Sequence, residues 1–507
     1  MNVGNERTQS LWMDLEPVSA PRLSTSNVRV DGIVIGAGMA GLSTAYELMD
    51  RGLTVAVIDR GKIGRGMTSR TTAHLTNFCD EGSAELIGMR GEEIARLFVE
   101  SQTAGIKRIE EICGGSKIAC NFRRLDGFLF PDPQTTQADL DEEMSAVRSL
   151  GIKVEKVHNA PVAGYDGKGV LRYRDQATFN PGRYQNALAE SIVARGGKLY
   201  ADTVVSEVEE KDGGVFVRTL NGETIQGGSA VVATNSPIND RFAIHSKMAP
   251  YRTYAMCFTI PKDSLPDALF WDTMDPYHYI RQETGPGTVN YLITGGEDHK
   301  SGEADDAGAR YDGLEAWTRK HFPMIGKETH RWSGQWLETI DFCSFTGVNP
   351  GNTNVYVHTG DSGQGITHGA MAALLIADLI TTGKSKWKEV YEPTRLPVRA
   401  LTNYARENVT AIKSFAEYVA PGEIASYDEL KRGQGAIVRD GLRKVAAYRD
   451  QNGKLHKCSA MCTHLGCHVH WNSLERCWDC PCHGSHFAVD GSVLNAPAVS
   501  PLAKIEP

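Results

Sequence analysis

The clearest pattern of hydrophobic and polar positions lies near the start of the chain. Residues 28–35 form a run rich in β-branched apolar residues, and residues 42–49 carry apolar side chains at helical spacing. A second β-branched run, residues 54–58, follows and ends at Asp59. Runs of this length and composition favour strands, and the helical spacing favours a helix. The pattern therefore predicts a β–α–β unit over residues 28–59.

Three glycines, Gly36, Gly38 and Gly41, join the first predicted strand to the helix. Gly36 allows a tight turn, Gly38 lets the backbone approach a pyrophosphate, and Gly41 lets helix and strand pack closely. The helix N-terminus carries a partial positive charge that favours phosphate. Asp59 can accept a hydrogen bond from a ribose hydroxyl. Together these features predict a dinucleotide site, whereas the glycines alone also fit a structural turn.

The middle of the chain, residues 246–345, is rich in aromatic residues and alternates as strands do. Tyr279 and Arg281 are two residues apart, so in a strand their side chains share a face. Arg281 is a candidate for holding a substrate carboxylate through two parallel hydrogen bonds. A surface salt bridge is the alternative for Arg281, and core packing is the alternative for the aromatic residues.

Short strands and tight turns mark the end of the chain. A helical pattern predicts a connector over residues 396–429. An Asp-Gly and an Asn-Gly dipeptide follow, ending at Gly441 and Gly453, and both are strong signals for a hairpin turn. Residues 430–507 are therefore predicted to form a small all-β domain.

Length and composition narrow the possible classes of function. A chain of 507 residues is too long for one ordinary core, so two or three domains are expected. The net charge of −8, with no basic run, argues against a nucleic-acid partner. No stretch of 18 uninterrupted apolar residues occurs, so no membrane span is expected. Residues 1–28 lack a signal-peptide pattern and predict a surface arm on a cytoplasmic protein.

Two cysteine–histidine boxes near the C-terminus carry the most specific chemistry. Cys462 and His464 form the first box, Cys480 and His483 form the second, and residues 465–479 separate them. Clustered cysteines at ligand spacing usually bind metal, and zinc is one candidate. The boxes also resemble the Rieske ligand set, in which two thiolates hold one iron of a 2Fe–2S cluster and two imidazoles hold the other.

The Rieske resemblance implies three further features of the boxes. It pairs Cys467 with Cys482 in a disulfide, as in the Rieske proteins of respiratory bc complexes. It makes Ser485 a hydrogen-bond donor to a bridging sulfide, a contact that raises the reduction potential. Phe487 stands where high-potential relatives carry a tyrosine, so one donor is missing. We expect a potential within the Rieske range of about −150 to +300 mV and below its upper end.

Further segments distinguish an FAD site from an NAD site. They read GRGMTSRTTAH (residues 64–74), FNPGRY (179–184), DTVVSEV (202–208), WSGQ (332–335) and VYVHTGDSGQGITHG (355–369). Together they resemble the glycine/D-amino-acid oxidase family of FAD-dependent oxidoreductases over residues 29–395. The resemblance implies an α/β fold class, with an FAD-binding Rossmann-like domain and an inserted antiparallel-sheet substrate domain, mainly residues 246–345. The small all-β Rieske domain is then an addition at the C-terminus.

The same resemblance assigns a set of residues to FAD. Val205 would contact the adenine through its backbone, and the helix beginning near Thr367 would point its positive end at the pyrimidine side of the flavin. His74 is expected near the flavin, without a covalent bond to it. The residues implied in FAD binding are Gly36, Gly38, Met39, Ala40, Gly41, Asp59, Arg60, Thr68, Thr71, Thr72, Val205, Gly360, Gly363, Gly365 and Thr367.

Tyr279, Arg281 and His74 are the candidate pocket residues, and the resemblance implies oxidation of a small amine or amino acid. No second glycine motif with a strand and helix around it occurs, which favours a substrate that reduces FAD directly. The leading hypothesis is a dehydrogenase whose Rieske cluster carries electrons from FAD to an external acceptor protein. One alternative reverses the flow, so that a donor protein reduces the cluster and FAD then reduces or hydroxylates a substrate. Another is an amine oxidase whose cluster domain is structural or senses redox state.

Overall fold

The computed structural model describes residues 3–158, 162–163, 169–239, 244–418 and 420–505. The helices are α1 (Met39–Asp50), α2 (Ser83–Arg90), α3 (Glu92–Gly115), α4 (Gln137–Ser149), α5 (Pro181–Ala194), α6 (Ala307–His321), α7 (Gly365–Thr382), α8 (Lys388–Tyr391) and α9 (Leu401–Ala416). The strands before α9 are β1 (Val28–Ile35), β2 (Val55–Ile58), β3 (His74–Leu75), β4 (Arg123–Phe130), β5 (Val154–Val157), β6 (Val170–Thr178), β7 (Lys198–Tyr200), β8 (Val205–Lys211), β9 (Gly214–Thr219), β10 (Thr224–Val232), β11 (Met248–Pro261), β12 (Leu269–Asp272), β13 (His278–Thr284), β14 (Val289–Lys300), β15 (Glu328–Thr339), β16 (Phe345–Val348) and β17 (Val355–Thr359). The strands after α9 are β18 (Gly435–Asp440), β19 (Arg443–Arg449), β20 (Leu455–Ser459), β21 (His470–Asn472), β22 (Cys477–Asp479), β23 (His486–Ala488) and β24 (Val493–Asn495).

A largely parallel sheet in the order β16-β17-β10-β1-β2-β7 forms the first layer of the molecule. β1 pairs in parallel with both β2 and β10. Val34 packs in the helix-covered core, whereas Ile33 and Ile35 pack on the opposite face with Val215 and Val217 of the β8–β10 meander. β1 is therefore buried on both faces, as a central parallel strand must be. The predicted β–α–β unit is confirmed as β1, α1 and β2.

A nine-stranded mixed sheet forms the second layer, in the order β15-β11-β14-β13-β12-β4-β6-β3 with β5 beside β6. Its strands β11 to β15 come from the predicted segment and pair antiparallel with one another. The predicted antiparallel sheet, mainly from residues 246–345, is confirmed. Strands β3 to β6 extend the sheet, and β12 pairs with β4 in parallel. β4 comes from much earlier in the chain than β12, and no hairpin joins the two strands. Their pairing is therefore not restricted to the antiparallel direction.

One helix, α7, is long and apolar enough to cross a membrane by length and composition alone, within the described part of the chain. Two-thirds of its apolar window, 67%, is buried inside the protein. It packs against α1 and α3 beneath the parallel sheet. Its apolar character is therefore that of a core helix, which the sheet and two helices cover.

The C-terminal region contains a three-stranded sheet, β18-β19-β20, and a four-stranded sheet, β21-β22-β23-β24. The two predicted hairpins are confirmed, because β19 pairs antiparallel with β18 and with β20. Gly453 in the second turn has φ +87°, a left-handed conformation that glycine adopts without strain. The core between these sheets holds Trp471, Trp478 and Phe487 together with Cys462 and Cys480.

The prediction of a surface arm at the N-terminus is wrong for residues 3–12. The side chains of Val3, Glu6 and Trp12 are buried. Trp12 donates from its indole nitrogen to the Thr71 carbonyl at 2.6 Å. The arm is buried because its few apolar residues fill gaps in the folded surface and because Glu6 pairs with groups that lie far away along the chain.

Candidate active site and cluster site

A cavity of about 1220 Å³ lies where the carboxyl ends of β1 and β2 face the second sheet. Its walls include the glycine loop after β1, the end of β2 and the aromatic residues Trp271, Tyr279 and Trp336 of the second sheet. The carboxyl end of a parallel sheet is where such folds bind nucleotides. The position of the cavity therefore suits a dinucleotide and a substrate together.

The glycine loop fits a dinucleotide pyrophosphate. Gly36 has φ +105°, and a Cβ there would lie 2.3 Å from the Ala233 carbonyl oxygen. A Cβ at Gly41 would lie 1.8 Å from the Gly36 carbonyl oxygen. Asp59 accepts from the Ala37 amide at 2.7 Å, which ties the loop to the end of β2. Burial raises the pKa of Asp59, and amide donation to its carboxylate opposes that rise.

Most residues that the family resemblance assigns to FAD line this cavity. They are Gly36, Gly38, Met39, Ala40, Asp59, Arg60, Thr68, Thr71, Thr72, Val205, Gly363 and Gly365. Gly41, Gly360 and Thr367 do not line it. Gly41 packs α1 on the loop, and a Cβ at Gly360 would lie 2.5 Å from Thr339 Cγ2. The Thr367 hydroxyl donates to the Gln364 carbonyl at 3.2 Å, within the first turn of α7.

His74 and Tyr279 meet on one wall of the cavity, with ring centroids 5.6 Å apart. Nε2 of His74 lies 3.2 Å from the Ile280 carbonyl oxygen, so this nitrogen carries the proton and donates. Nδ1 then accepts from the Thr72 hydroxyl at 3.2 Å. Burial, reinforced by the nearby Arg281 charge, lowers the pKa of His74 to about 3. The imidazole is therefore neutral.

Tyr279 is held in one orientation. Its hydroxyl lies 2.7 Å from the Thr253 hydroxyl, and burial raises its pKa, so the phenol stays neutral. A Cβ at Gly295, on the neighbouring strand β14, would lie 2.3 Å from the Tyr279 ring. Glycine at residue 295 is therefore needed to seat the ring against the sheet.

The interpretation of Arg281 as a substrate-binding residue is wrong. Arg281 is fully buried and does not line the cavity. Its guanidinium donates to the carbonyl oxygens of Phe179 at 2.9 Å and Ala73 at 3.2 Å, and it pairs with Glu283. Arg281 thus joins its own strand β13 to the backbone at Ala73 and to the backbone at Phe179. Alternation along β13 places Arg281 on the same face as Tyr279, but it does not predict which backbone covers that face.

The two cysteine–histidine boxes lie on two loops, between β20 and β21 and between β22 and β23. Both loops make the same turn: the Gly466 amide donates to the Cys462 carbonyl at 3.0 Å, and the Gly484 amide donates to the Cys480 carbonyl at 3.1 Å. A disulfide between Cys467 and Cys482 joins the loops.

The ligand-type side chains of the two loops converge. The thiol of Cys462 interacts with that of Cys480, and the rings of His464 and His483 have centroids 5.0 Å apart. Two thiols and two imidazoles in one place are the donor set that a Rieske cluster requires. These four side chains therefore fit a Rieske 2Fe–2S cluster.

Gln335 joins the cavity to the cluster loops, a role that the WSGQ segment by itself does not indicate. Gln335 lines the cavity, and its side-chain amide donates to the Gly484 carbonyl at 2.9 Å. Its amide oxygen lies 2.7 Å from Nε2 of His486, and Nδ1 of His486 lies 2.6 Å from the Glu6 carboxylate. Nε2 of His486 also lies 3.4 Å from the Arg252 guanidinium, so groups from three distant segments of the chain hold the His486 ring.

Buried ion pairs hold the same interface. Arg252 of β11 pairs with Asp479 of β22 at 2.8 Å, and Arg70 pairs with Glu475 at 3.1 Å. All four side chains are at most 2% exposed. Charges buried in this way are stable only when they are paired, so the interface is specific to this docked arrangement. No local sequence signal predicts these pairs, because their partners lie hundreds of residues apart.

His245 covers the imidazoles of the cluster site from the opposite domain. Its ring centroid lies 4.7 Å from that of His464 and 5.4 Å from that of His483. Nε2 of His245 lies 3.0 Å from the Pro237 carbonyl, which fixes the ring on the segment before β11. The histidine side of the cluster site thus faces the cofactor domain.

Comparison with known families agrees with this geometry. Residues 31–379 match the family model of the FAD dependent oxidoreductases named DAO. The chain belongs to the DAO family. Residues 421–506 match the Rieske [2Fe-2S] domain, which decides against zinc at the boxes. The DAO domain therefore binds FAD, the Rieske domain binds a 2Fe–2S cluster, and the protein is an FAD-dependent oxidoreductase.

Relatives share either the whole DAO–Rieske arrangement or the DAO domain. A Bacillus subtilis (strain 168) protein named for its Rieske 2Fe-2S iron-sulfur centre, YhfW, is 29% identical over 99% of this chain and 98% of its own length. The gamma-glutamylputrescine oxidoreductase of Escherichia coli (strain K12) is 26% identical over 70% of this chain and 84% of its own. The crystal structure of glycine oxidase from Geobacillus kaustophilus superposes with a TM-score of 0.60 at 18% identity, covering 73% of this chain and 100% of that one, and shows the shared fold.

Proposed function

We propose that the protein is a dehydrogenase that oxidises a small amine or amino acid and passes the electrons through its own Rieske cluster to an external acceptor. The contact between Gln335 and Gly484 carries this proposal, because it links the wall of the FAD cavity to a cluster loop over a single hydrogen bond of 2.9 Å. Residues 494–496 of the Rieske domain line the same cavity. Both redox domains of the chain thus contribute residues to the wall of the FAD cavity.

The cavity walls supply the binding and positioning that amine oxidation needs. When bound, FAD accepts a hydride from the carbon next to nitrogen, and the cluster accepts one electron at a time. We assign FAD to the glycine loop, to Asp59 and to the segments around Thr71 and Gly363. His74 and Tyr279 are neutral and fixed, so they shape a dry wall that orients the substrate. If the reacting nitrogen of the bound amine is neutral, hydride transfer to FAD requires no strong base.

We assign the cluster to Cys462, Cys480, His464 and His483. The thiolates are the ligands of one iron, and the imidazoles are the ligands of the other. Cys480→Ser should abolish the cluster absorption while the flavin content stays unchanged. Cys477→Ser is the matched control, because its thiol donates to Asp479 at 3.2 Å outside the boxes and its loss should leave the cluster in place.

The amine-type substrate is supported by two relatives, which are named gamma-glutamylputrescine oxidoreductase and, in Bacillus licheniformis, glycine oxidase. The external acceptor is supported by the docking of the cluster domain beside the FAD cavity rather than on a remote surface. We place the reaction in the cytoplasm.

Turnover with a one-electron acceptor tests the proposal. With a substrate that bleaches the flavin, anaerobic reduction of ferricyanide or cytochrome c should far exceed the rate of hydrogen peroxide formation in air. Cys480→Ser should retain flavin bleaching and lose reduction of cytochrome c. Peroxide formation at the full turnover rate, equal in the wild type and in Cys480→Ser, would show an oxidase with a non-transferring cluster domain.

A further inference from the structure

Carboxylates crowd the part of the cavity that the substrate sheet and α2 enclose. Asp80 and Glu81 precede α2, Asp298 lies on β14 and Glu338 lies on β15, and all four line the cavity. They come from three separate parts of the chain. The tertiary fold, and not a local acidic run, therefore brings them together.

Glu338 is the least satisfied of these groups. Its residue is only 9% exposed, and neither carboxylate oxygen makes a well-formed hydrogen bond among the described residues; the contact with the Ser362 hydroxyl does not outweigh burial. Burial, together with the charges of Glu81 and Glu407, raises the pKa of Glu338. A buried carboxylate without a partner is costly, and a bound cation would remove that cost.

The arginines that line the cavity are all engaged by other groups, and the partner of Arg406, Glu407, lines the cavity as well. Arg70 donates to Glu475 and to backbone carbonyls at the domain interface. Arg60 donates to the Ala498 carbonyl at 3.4 Å. The Arg406 side chain is 68% exposed and pairs with Glu407. Carboxyl groups therefore outnumber guanidinium groups on the cavity wall, and the wall becomes increasingly negative as Asp80 and Asp298 ionise above about pH 7.

Aromatic faces surround the same carboxylates. Trp336 donates from its indole nitrogen to Asp298 at 3.0 Å, and Tyr251 stacks on Trp336 with ring centroids 5.2 Å apart. Tyr277 lies 5.4 Å from Tyr279. Carboxylates beside aromatic faces recognise alkylammonium groups through charge and through cation–π attraction.

We propose that the substrate is an aliphatic amine that carries a second positive charge, such as a diamine, and not an α-amino acid. One nitrogen reacts, and the second ammonium lies among Asp80, Asp298 and Glu338. The carboxylate of an amino acid would instead meet like charges in this cavity. The inference rests on the proposed function, since it names the substrate class of that same site.

The reaction balances with the cofactors and the acceptor already named. The carbon next to the reacting nitrogen loses a hydride to FAD, the nitrogen loses a proton, and a carbon–nitrogen double bond forms. Water then hydrolyses this imine to an aldehyde and ammonia. The two electrons leave one at a time to the external acceptor.

A series built on one four-carbon skeleton tests the inference. The probes are 1,4-diaminobutane, 1-aminobutane, 4-aminobutanoate and 2-aminobutanoate, and the readout is the rate of anaerobic flavin bleaching. The diamine should exceed 1-aminobutane in the second-order rate constant of flavin bleaching by about tenfold or more, since one extra charge contact of about 1.4 kcal/mol gives that factor. Both amino acids should be slower than 1-aminobutane.

Variants and a non-reacting ligand complete the test. Glu338→Gln and Asp298→Asn should each lower the preference for the diamine by about tenfold, whereas the exposed control Glu93→Gln should leave it unchanged. The bis-quaternary cation 1,4-bis(trimethylammonio)butane should bind the wild type and perturb the flavin spectrum, independently of any variant.

Each outcome separates this inference from the proposed function. If an amino acid is the best substrate and the cluster is reduced after the flavin, the electron route stands and the inference is overturned. If the diamine bleaches the flavin and the cluster stays oxidised, the substrate class stands and the electron route fails. No preference for the diamine and no binding of the bis-quaternary cation would also overturn the inference.

Discussion

The side chain of Gln335 donates to the Gly484 carbonyl at 2.9 Å, so one residue of the FAD cavity wall holds the cluster loop directly after the ligand His483. The neighbours of Gly484 on either side are His483 and Ser485. A Cβ at Gly484 would lie 2.4 Å from the Gln335 amide nitrogen. Only glycine lets the cavity wall approach the loop this closely.

Gln335→Ala should slow transfer between flavin and cluster without slowing flavin reduction by the substrate. Loss of its hydrogen bonds to Gly484 and His486, at about 0.5–1.5 kcal/mol each, loosens the docking of the loop, although Asn495 still donates to the Gly484 carbonyl. In anaerobic stopped-flow measurements the flavin phase should be unchanged and the cluster phase should slow about tenfold. Gln134→Ala, at an exposed site, should change neither phase. An unchanged cluster phase in Gln335→Ala would remove this residue from the route.

The buried Glu6 should stabilise the docked Rieske domain. Burial opposes its charge, but His486 and Arg70 outweigh burial and lower its pKa. Glu6→Gln should cost about 3–5 kcal/mol, because it removes the buried carboxylate that pairs with Arg70 and contacts His486. Thermal unfolding and proteolysis within residues 396–429 report this loss. Glu16→Gln, on the exposed part of the same arm, is the control, and equal stability of the two variants would contradict the assignment.

The cluster potential should respond to Ser485 and Phe487 in opposite directions. The Ser485 hydroxyl accepts from the Ala498 amide at 3.0 Å and hydrogen bonds with Cys462. Ser485→Ala should lower the potential by about 50 mV, since a hydrogen bond of about 1 kcal/mol corresponds to that shift for one electron. Phe487→Tyr should raise it. A wild-type potential at the upper end of the Rieske range in a redox titration would refute the expectation.

The KM for a diamine should fall as pH rises through about 7. Burial, with Glu81 nearby, raises the pKa of Asp80 to about 7, although Gln364 donates to it. Burial raises the pKa of Asp298 to about 7 as well, although Thr253, Trp336, His278 and Arg310 favour its charged form. Both carboxyls are neutral below pH 7 and charged above it, so a cation binds more tightly at pH 8 than at pH 6.

The size of this pH effect follows from one ion pair. We expect a fall in KM of about tenfold between pH 6 and pH 8, since 1.4 kcal/mol is a factor of ten. Asp80→Asn should flatten the profile. A KM that is constant or rises with pH in the wild type would contradict the role of these carboxyls.

Local patterns predicted the parts of the molecule that depend on neighbouring residues. The β–α–β unit, the two hairpins and the clustering of the cysteine–histidine boxes follow from turn chemistry and spacing within short segments. The positions of Arg281 and Glu6 do not, because each is decided by groups that fold against it from distant segments. Alternation along a strand predicts a face, but burial on that face can place an arginine under backbone carbonyls instead of in a cavity. The link through Gln335 depends on a contact across 149 residues, which no local pattern encodes.

The order in which the two cofactors are reduced tests the central claim most directly. Wild-type enzyme is mixed anaerobically with 1,4-diaminobutane, or with whichever amine bleaches the flavin fastest, and flavin absorbance and the cluster's electron paramagnetic resonance signal are followed together. Transfer within one chain predicts that the flavin is reduced first and that the cluster signal then appears at a rate that does not depend on protein concentration. A cluster that stays oxidised while the flavin is fully reduced would contradict it.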